Sequence, residues 1–520
     1  MRAIEYFDKG ADANPDRTAI IDGDSSYTYC DTRAITTRIA RAMWAGGLRG
    51  ERCAGIYSHN DARVLFCMLA IMRAGAIWVP INYRNAIDAT VEYMNYVEME
   101  WLFYHSNFVD SVAEIKRRVP TLRHFVCLDA DDGGHPSLEK FVQQGQAGEE
   151  RDWADAQGNI DRLVGLVPTG GTTGPAKGVQ VTSLAWGTMT EMATHYWRGS
   201  AGDPVCLNTA PLSHAAGVVA FTMFTLGATN VILPKFDALT VLQSIEHHKI
   251  THLFLPPAAF YTLLAHPEVE KFDYSTLQVF LLAGSPVSPD KLKRGVEVFG
   301  PCLCQSYGQT EAPMLLTFLD SETLAAAASG DHPERLASCG KPTSAVRLAI
   351  MDEQGRILPR HEVGEIVARG TLVTAGYYKM PDATAEIRKY GWHHTGDVGY
   401  LDEDGYVFIV DRKKDMIKVG GENVYPRDVE EVLFQNRKVL DCVVAGVPDE
   451  KLVDKVKAYV VLKPGETALP EEIIDFCKGK LAKFKVPKEV EFRDSLPKNM
   501  VGKMLRRLLV EEEKQKLKKT

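Results

Sequence analysis

Short apolar runs rich in β-formers, each stopped by Gly or Pro and separated from the next by a helix-patterned stretch, recur through the first two thirds of the chain. Four of them are L-V-G-L-V-P ending at Pro168, N-V-I-L-P ending at Pro234, T-H-L-F-L-P-P ending at Pro257 and Q-V-F-L-L-A-G ending at Gly284. Runs of this kind suit parallel strands buried on both faces, because a strand covered by helices above and below has no polar side to show. The stretches between them read as helices: A-R-V-L-F-C-M-L-A-I-M-R-A-G ends at Gly75 before the strand A-I-W-V-P-I-N, and Ser288 with Pro289 opens another as N-cap and first turn. Alternation of this sort predicts α/β layers rather than an all-helical or all-β chain.

From about Gly340 the pattern shifts to shorter strands with Gly-rich turns, M-D-E-Q-G-R and D-E-D-G-Y-V-F-I-V, which predict a small β-layer or barrel. After D-R-K-K-D at 411–415 come a helix over Pro426–Gln435, strands over Cys442–Gly446 and Val456–Leu462, and a helix over Pro470–Ala482. The predicted fold is therefore α/β, with a large N-terminal domain, 1–411, of layered α/β subdomains plus a β-rich subdomain, and a small α+β C-terminal domain, 412–520. The terminal E-E-E-K-Q-K-L-K-K-T reads as a frayed charged helix.

At 45% hydrophobic and 25% charged residues the chain has the makeup of an ordinary folded protein, not a disordered or collagen-like one. Its net charge of −8 disfavours a surface built to hold nucleic acid, whose phosphates attract excess Lys and Arg. From Arg412 onward there are 25 Lys and Arg against 19 Asp and Glu, or +6, leaving −14 for the rest; a basic C-terminal part suits a polyanionic small ligand. Solvated helix faces are the plain alternative. Ten cysteines without a C-x-x-C repeat, and no leader-like segment, predict a cytoplasmic enzyme with buried, free thiols. The longest apolar stretch, Val218–Leu233, holds Thr222, Thr225, Gly227, Thr229 and Asn230; it predicts a core helix followed by a strand and no integral membrane segment.

The sharpest local signal is P-T-G-G-T-T-G-P-A-K-G-V, residues 168–179, after a strand and before an expected helix. Its glycines allow close backbone approach, its N–H groups and hydroxyls can donate, and Lys177 supplies a cation, so it reads as a phosphate-gripping loop. It is not a Walker A loop, because Ala176 and Gly178 flank the lysine where that motif needs Gly and Ser or Thr. A plain flexible turn is the competing reading. Q-S-Y-G-Q-T-E, 305–311, offers an aromatic face, a hydroxyl and a carboxylate for a nucleotide and its metal. W-H-H-T-G-D ending at Asp397 and the Arg412 of D-R-K-K-D could hold a ribose or phosphate, and Lys503 in P-K-N-M-V-G-K follows Gly502 in an expected turn. Singly, each could be a surface turn or ion pair.

In this order and spacing the segments resemble, over nearly the whole chain, the adenylate-forming superfamily: acyl-CoA synthetases, aryl-CoA ligases, peptide-synthetase adenylation domains and beetle luciferases. The resemblance implies that the C-terminal domain is a mobile lid and that ATP, Mg²⁺ and CoA are cofactor and co-substrates. It further implies that Thr169, Gly170, Gly171, Thr172, Thr173, Gly174 and Lys177 hold the β- and γ-phosphates, with Gly170 and Ala176 standing where Ser and Pro are usual. Gly284, Ser285 and Pro286 would flank adenine, and Gln305, Ser306, Tyr307 and Gly308 would line its site, with Tyr307 stacking. Thr310 would touch the α-phosphate, Glu311 would bind the metal, and Asp397 with Arg412 would take the ribose.

By the same resemblance P-L-S-H puts His214 at the carboxylate site, a satisfied core histidine being the alternative. Ala215, Ala216, Gly284, Pro313 and Met314 would wall the acyl pocket, and the small residues Ala215, Ala216 and Gly217 would leave it room. Lys414 would be the hinge. Lys418, Gly420, Gly421 and Asn423 would meet CoA, and Lys503 would carry the adenylation step. The expected partners are a small hydrophobic monocarboxylic acid, aromatic or medium- to long-chain aliphatic, with ATP and CoA; a homodimer is left open. The expected activity is AMP-forming acid–CoA ligation. Loading of a carrier-protein thiol or amide formation, and a non-catalytic nucleotide sensor, are the alternatives.

Overall fold

The apolar runs assemble into two sheets with parallel centres. A computed structural model describes residues 1–131, 134–145, 159–169, 176–199, 202–420, 422–449, 453–497 and 504–519. Strands Thr18–Asp22, Thr229–Ile232, Val205–Asn208, His252–Leu255, Val279–Leu282 and Leu303–Gln309 pair in parallel in that spatial order. Antiparallel neighbours, Ser25–Thr28 at one edge and Ala312–Leu319 with Lys341–Pro342 at the other, complete nine strands. A second sheet runs His124–Cys127, Trp101–Tyr104, Cys53–Tyr57, Ile77–Pro80 and Leu163–Pro168 in parallel, with Gly178–Thr182 as its antiparallel edge.

The helix Ala62–Arg73 explains how the two sheets share a core. Its sequence is apolar nearly all round, so every face must be covered; it is buried from Val64 to Arg73 and lies in one hydrophobic cluster with Ile20, Leu281 and Cys304 of the first sheet and Ile56, Trp78 and Phe103 of the second. Asp61 caps it by accepting from the Arg63 N–H at 2.8 Å, and Gly75 at φ 71° ends the turn beyond it. Arg73, the charged residue inside this core, is held by both oxygens of Asp8 at 3.1 and 2.7 Å.

By packing, the chain divides into a first unit, Met1–Leu348 with Ala368–His393, and a second, Ala349–Val367 with His394–Thr520. The expected division at 411/412 cuts the chain elsewhere: residues 349–367 and 394–411 group with the C-terminal residues. The reason is local, since Arg427 of helix Pro426–Phe434 donates through its backbone N–H to Asp411 and through its guanidinium to the Ile409 carbonyl. Most of the four-stranded sheet Val346–Met351, Gly364–Gly370, His393–Leu401 and Val407–Arg412 falls in the second unit. Its other sheet has the long hairpin Val439–Asp449 and Val453–Leu462 at its centre, with Ile417–Val419, Glu422–Val424 and Glu489–Phe492, and a core of its own around Val429, Val444, Val456 and Ile473.

Some boundaries differ from expectation. Helix Pro470–Lys478 stops short of Ala482 because Gly479 caps it, and the hairpin strands run longer than the apolar residues that announced them. Ser288 precedes helix Pro289–Phe299 but its hydroxyl makes no cap bond. Of the ten free cysteines eight are buried, whereas Cys30 is exposed and Cys339 half-buried, which corrects the expectation of uniformly buried thiols. Among the described residues no helix is long and apolar enough to cross a membrane; Val218–Leu233 is divided between helix Ala215–Thr225 and strand Thr229–Ile232.

His252, 3% exposed, donates from Nε2 to the Trp197 carbonyl at 2.6 Å and sits 2.7 Å from the Thr251 hydroxyl; burial pushes its pKa down to about 4. A depressed folded pKa means that the unfolded chain takes up the proton first, so stability is full above about pH 6.5 and falls as pH drops toward 4. At pH 5 the loss from this ring is about 2 kcal/mol. Urea unfolding at pH 7 and pH 5 checks this: His252→Gln should show a shallower acid decline than the parent, and equal declines would refute the assignment.

Candidate active site

The Gly/Thr loop is closed at its base. Thr169 N–H donates to the Lys177 carbonyl at 2.9 Å, and Lys177 N–H donates back to the Thr169 hydroxyl at 3.2 Å. The expected helix after the loop is instead the strand Gly178–Thr182, paired antiparallel with Leu163–Pro168 from Pro168↔Gly178 onward. Its alternating G-V-Q-V-T explains the difference: β-branched residues at every second position favour a strand, and the helix waits until Ser183, where Thr182 caps it. Thr169 and Lys177, the described residues on either side of the loop, are thus joined by a two-bond clamp.

The other edge of Gly178–Thr182 receives a distant segment, Thr374–Tyr378. Gln180 N–H donates to the Gly376 carbonyl at 2.8 Å, Ala375 N–H to the Gln180 carbonyl at 3.0 Å, and Tyr378 N–H to the Gly178 carbonyl at 2.8 Å. Gly376 is required there, since its φ is 111° and a Cβ would fall 2.3 Å from Thr384 Cγ2. Thr374, from the same segment, donates its N–H and its hydroxyl to the Glu311 carbonyl, each at 3.0 Å. Glu311 with Thr310 forms the tight turn between strands Leu303–Gln309 and Ala312–Leu319.

Tyr377 joins these parts. Its hydroxyl donates to Glu311 Oε1 at 2.6 Å, and the Lys177 ammonium lies 4.6 Å from its ring centroid. Burial, and then the Glu311 charge, push the Tyr377 hydroxyl well above its usual pKa, so it remains a proton donor. Arg388 donates to the Thr374 carbonyl, and burial lowers its pKa. Glu311 has a neutral hydroxyl as partner and, among the described residues, no Lys or Arg ion pair; a single ionised carboxylate of this kind, completed by phosphate oxygens and water, is what Mg²⁺ accepts. The residues present thus fit that ion.

Gly284, Ser285 and Pro286 form an exposed turn at the carboxyl end of strand Val279–Leu282, with Gly284 at φ 97°. Gln305 and Ser306 are buried in the neighbouring strand, and the Ser306 hydroxyl has no partner among the described residues. Gly308 is pinned by close approach, because a Cβ would lie 2.5 Å from the Met314 backbone N; Met314 itself carries φ 58°, a strained value for a side chain of its size. Tyr307, Met314, Ala283 and Ala215 all pack at the margin of the same hydrophobic cluster, while Pro313 is half-buried beside them.

His214 caps helix Ala215–Thr225, with Nδ1 3.1 Å from the Ser213 hydroxyl; burial, and then the positive charge of Arg84, lower its pKa to about 4. It is a neutral imidazole at pH 7. Ala216 is buried, and Gly217 is small for a reason other than pocket room: a Cβ there would lie 2.0 Å from the Leu212 carbonyl oxygen.

In the second unit Asp397 and Arg412 are cross-strand neighbours, joined from Arg412 Nε to Asp397 Oδ1 at 2.7 Å. Lys414 lies in the short turn Lys413–Asp415 between two strands. Lys418 and Asn423, both exposed, oppose one another on two short strands, and Gly420 follows at φ 59°. Gly170, Gly171, Thr172, Thr173, Gly174, Gly421 and Lys503 lie outside the described residues.

Sequence reasoning missed Tyr377, Thr374 and Arg506. Arg506, inside the charged terminal helix, pairs with both oxygens of Glu430 at 2.8 and 2.7 Å and reaches Asp415 at 3.3 Å and Asp411 at 3.6 Å. A cluster of His59, Asp61 and His105 brings possible ligand atoms within 4.8 Å, but both Asp61 oxygens are already held by Arg63.

Two parallel-centred sheets, with Lys177 and Glu311 gathered on Tyr377, form the architecture of an adenylate-forming enzyme. The AMP-binding enzyme family matches residues 7–378 and the AMP-binding enzyme C-terminal domain matches residues 428–503, and the chain belongs to that family. A medium/long-chain-fatty-acid–CoA ligase of Mycobacterium tuberculosis, FadD8, is 42% identical over 352 residues, which are 66% of this chain and 60% of that protein. A long-chain-fatty-acid–CoA ligase of Bacillus subtilis is 40% identical over 529 residues, 96% of this chain and 92% of that one. The solved structure of the amide bond synthetase McbA from Marinactinospora thermotolerans superimposes with a TM-score of 0.87 at 27% identity, covering 98% of this chain and 100% of that one.

The crowding at Gly217 makes a stability prediction. In an ordinary helix Gly→Ala stabilises by about 0.4–1 kcal/mol, but here the methyl meets backbone, so G217A should lose about 1–3 kcal/mol. Thermal unfolding reads it, and an unchanged or raised Tm would show that residues 212–217 can give way.

Proposed function

We propose that the chain is an AMP-forming acid–CoA ligase that activates a hydrophobic monocarboxylic acid. The observation that carries this reading is the convergence of Lys177 and Glu311 on Tyr377 at the closed base of the phosphate hairpin. Cation, carboxylate and Gly/Thr loop together suit a nucleoside triphosphate with its metal. The acyl-CoA ligase names of the two relatives supply the acid and the thiol.

On this reading a carboxylate, which cannot expel oxide, is first converted into a better acylating agent. The acid oxygen attacks the α-phosphorus of ATP, the bond from that phosphorus to the bridging oxygen breaks, and pyrophosphate leaves from acyl-AMP. Both reactants are anions. Lys177 on the β- and γ-phosphates, Thr310 at the α-phosphate and Lys503 at the forming bond offset their repulsion. Glu311 would hold Mg²⁺, which when bound neutralises phosphate charge. Tyr307 stacks on adenine beside Gly284–Pro286, and Asp397, oriented by Arg412, accepts from the ribose hydroxyls. Neutral His214 borders the acid, whose apolar part lies along Ala215, Ala216, Pro313 and Met314.

The thiol of CoA then attacks the acyl carbon, AMP departs, and Lys503 must vacate the space. Rotation of the small C-terminal domain about Lys414 serves this exchange and brings Lys418, Gly420, Gly421 and Asn423 to the pantetheine. The amide synthetase likeness favours one second reading, in which an amine takes the acyl group in place of CoA.

A panel of aliphatic and aromatic acids assayed for AMP release with and without CoA, and with amines, decides among acceptors and acids; AMP release that no acid stimulates would end the ligase reading. Lys503→Ala should lower acyl-AMP formation by roughly 10²–10³-fold while supplied acyl-AMP is still converted to thioester. Equal losses in both half-reactions would remove the special role of that lysine. Lys414→Pro, which fixes φ, should do the converse and depress thioester formation more than adenylation.

A further inference from the structure

Tyr377 stands between two side chains of opposite charge that come from different parts of the chain. Lys177 lies at the end of the phosphate hairpin, Glu311 at a turn of the larger sheet, and Tyr377 on the segment that stitches the two together. We infer that Tyr377 is a positioning residue, which keeps Lys177 and Glu311 from pairing with each other so that one stays open to phosphate oxygens and the other to the accompanying metal; this rests on the nucleotide reading above.

An ammonium and a carboxylate on flexible side chains in a partly dry cleft attract strongly, and a direct pair would consume both. The lysine would lose its charge to an internal partner, and the glutamate would hold a cation of its own where a metal is needed. Among the described residues no such pair forms. The ring instead offers its negative face to the ammonium at 4.6 Å, and its hydroxyl, 2.6 Å from Glu311 Oε1, occupies one lone-pair direction of a carboxylate that has about four. One neutral donor orients the carboxylate and leaves it able to coordinate.

The tyrosine is itself fixed. It is 8% exposed, its N–H donates to the Thr384 hydroxyl at 2.9 Å, and its neighbours Gly376 and Tyr378 are bonded to the strand that follows Lys177. Thr374, three residues earlier, holds the Glu311 backbone. One short segment thus sets both the spacing between the two charges and the group that fills it. A merely structural aromatic would need none of the hydroxyl.

Two variants separate the parts: Y377F keeps the ring and loses the donor, and Y377L loses both. Calorimetric titration with ATP in EDTA reads the lysine arm, the same titration repeated over a series of Mg²⁺ concentrations reads the glutamate arm, and thermal unfolding reads the fold. Y377F should raise the Mg²⁺ concentration at half-saturation about tenfold, as loss of a hydrogen bond to a charged group implies, with ATP affinity in EDTA within about twofold of the parent. Y377L should in addition weaken ATP in EDTA by about threefold or more, the worth of a partly buried cation–π contact. Phenylalanine is nearly isosteric with tyrosine, so the test stands whether or not the leucine protein folds. Unchanged Mg²⁺ dependence in Y377F, or equal losses in both titrations together with a lowered Tm, would overturn the positioning role. A parent enzyme that binds no ATP under either condition would instead defeat the nucleotide reading, and the positioning role with it.

Discussion

Three backbone hydrogen bonds between the strand Gly178–Thr182 and the segment Ala375–Tyr378 hold Lys177, Tyr377 and Glu311 together. Without them Gly178–Thr182 would be a bare sheet edge, and its unpaired N–H and C=O groups would have to be covered in some other way. With them, the chain bonds that edge to residues almost two hundred positions later and brings their side chains up to a lysine and a glutamate that share no local sequence. The sheet's need to satisfy its last strand and the site's need to gather distant groups are met by the same bonds.

That arrangement also settles how far the charges can relax. Thr374 grips the Glu311 backbone while its neighbours grip the strand beside Lys177, so the separation between lysine and glutamate is set by main-chain bonds and not by the preferences of long side chains. Preorganised charge is worth more than mobile charge when two anions must react, because nothing has to be reoriented as the transition state forms. Neutral His214 fits its surroundings: a protonated imidazole would be buried beside the positive charge of Arg84.

Much of this is legible in the chain and some is not, for physical reasons. Buried parallel strands announce themselves as continuous apolar runs, and L-V-G-L-V-P, T-H-L-F-L-P-P and Q-V-F-L-L-A-G each form one. The Gly/Thr loop stands out by composition, and its described ends, Thr169 and Lys177, are joined by two hydrogen bonds. The strand after it passes for the start of a helix, since a five-residue segment carries little periodicity and its pairing partner at residues 375–378 is invisible locally. Tyr377 is unreadable for the same reason: a tyrosine near T-A-G-Y-Y-K has no signature until its partner 66 residues away is known. Gly217 looks like room for a ligand, but the space belongs to the Leu212 carbonyl. Arg506 is hidden in a charged helix that reads as a solvated end, although Leu509 and Glu513 of the same helix are buried too.

Arg506 bears on where the second unit can bend. Alternate residues of a strand point to opposite sides, so Arg412 turns to Asp397 while Asp411, one place earlier, accepts from the backbone N–H groups of Arg412 and Arg427 and lies 3.6 Å from Arg506. A swivel at Lys414 leaves Asp397–Arg412 whole, because both partners precede it. It leaves Arg506–Glu430 whole as well, because both follow it. The ties it must break are those that cross it, from Asp411 to Arg427 and Arg506 and from the Ile409 carbonyl to Arg427. Arg506 has Glu430 and Asp415 to keep its charge compensated after Asp411 withdraws, whereas Asp411 would lose two of its donors; burial already raises its pKa, and the loss of Arg506, the larger of the opposing influences, would raise it further. The arrangement described is therefore favoured from the Asp411 side, and the swivel proposed at Lys414 would leave that carboxylate short of partners.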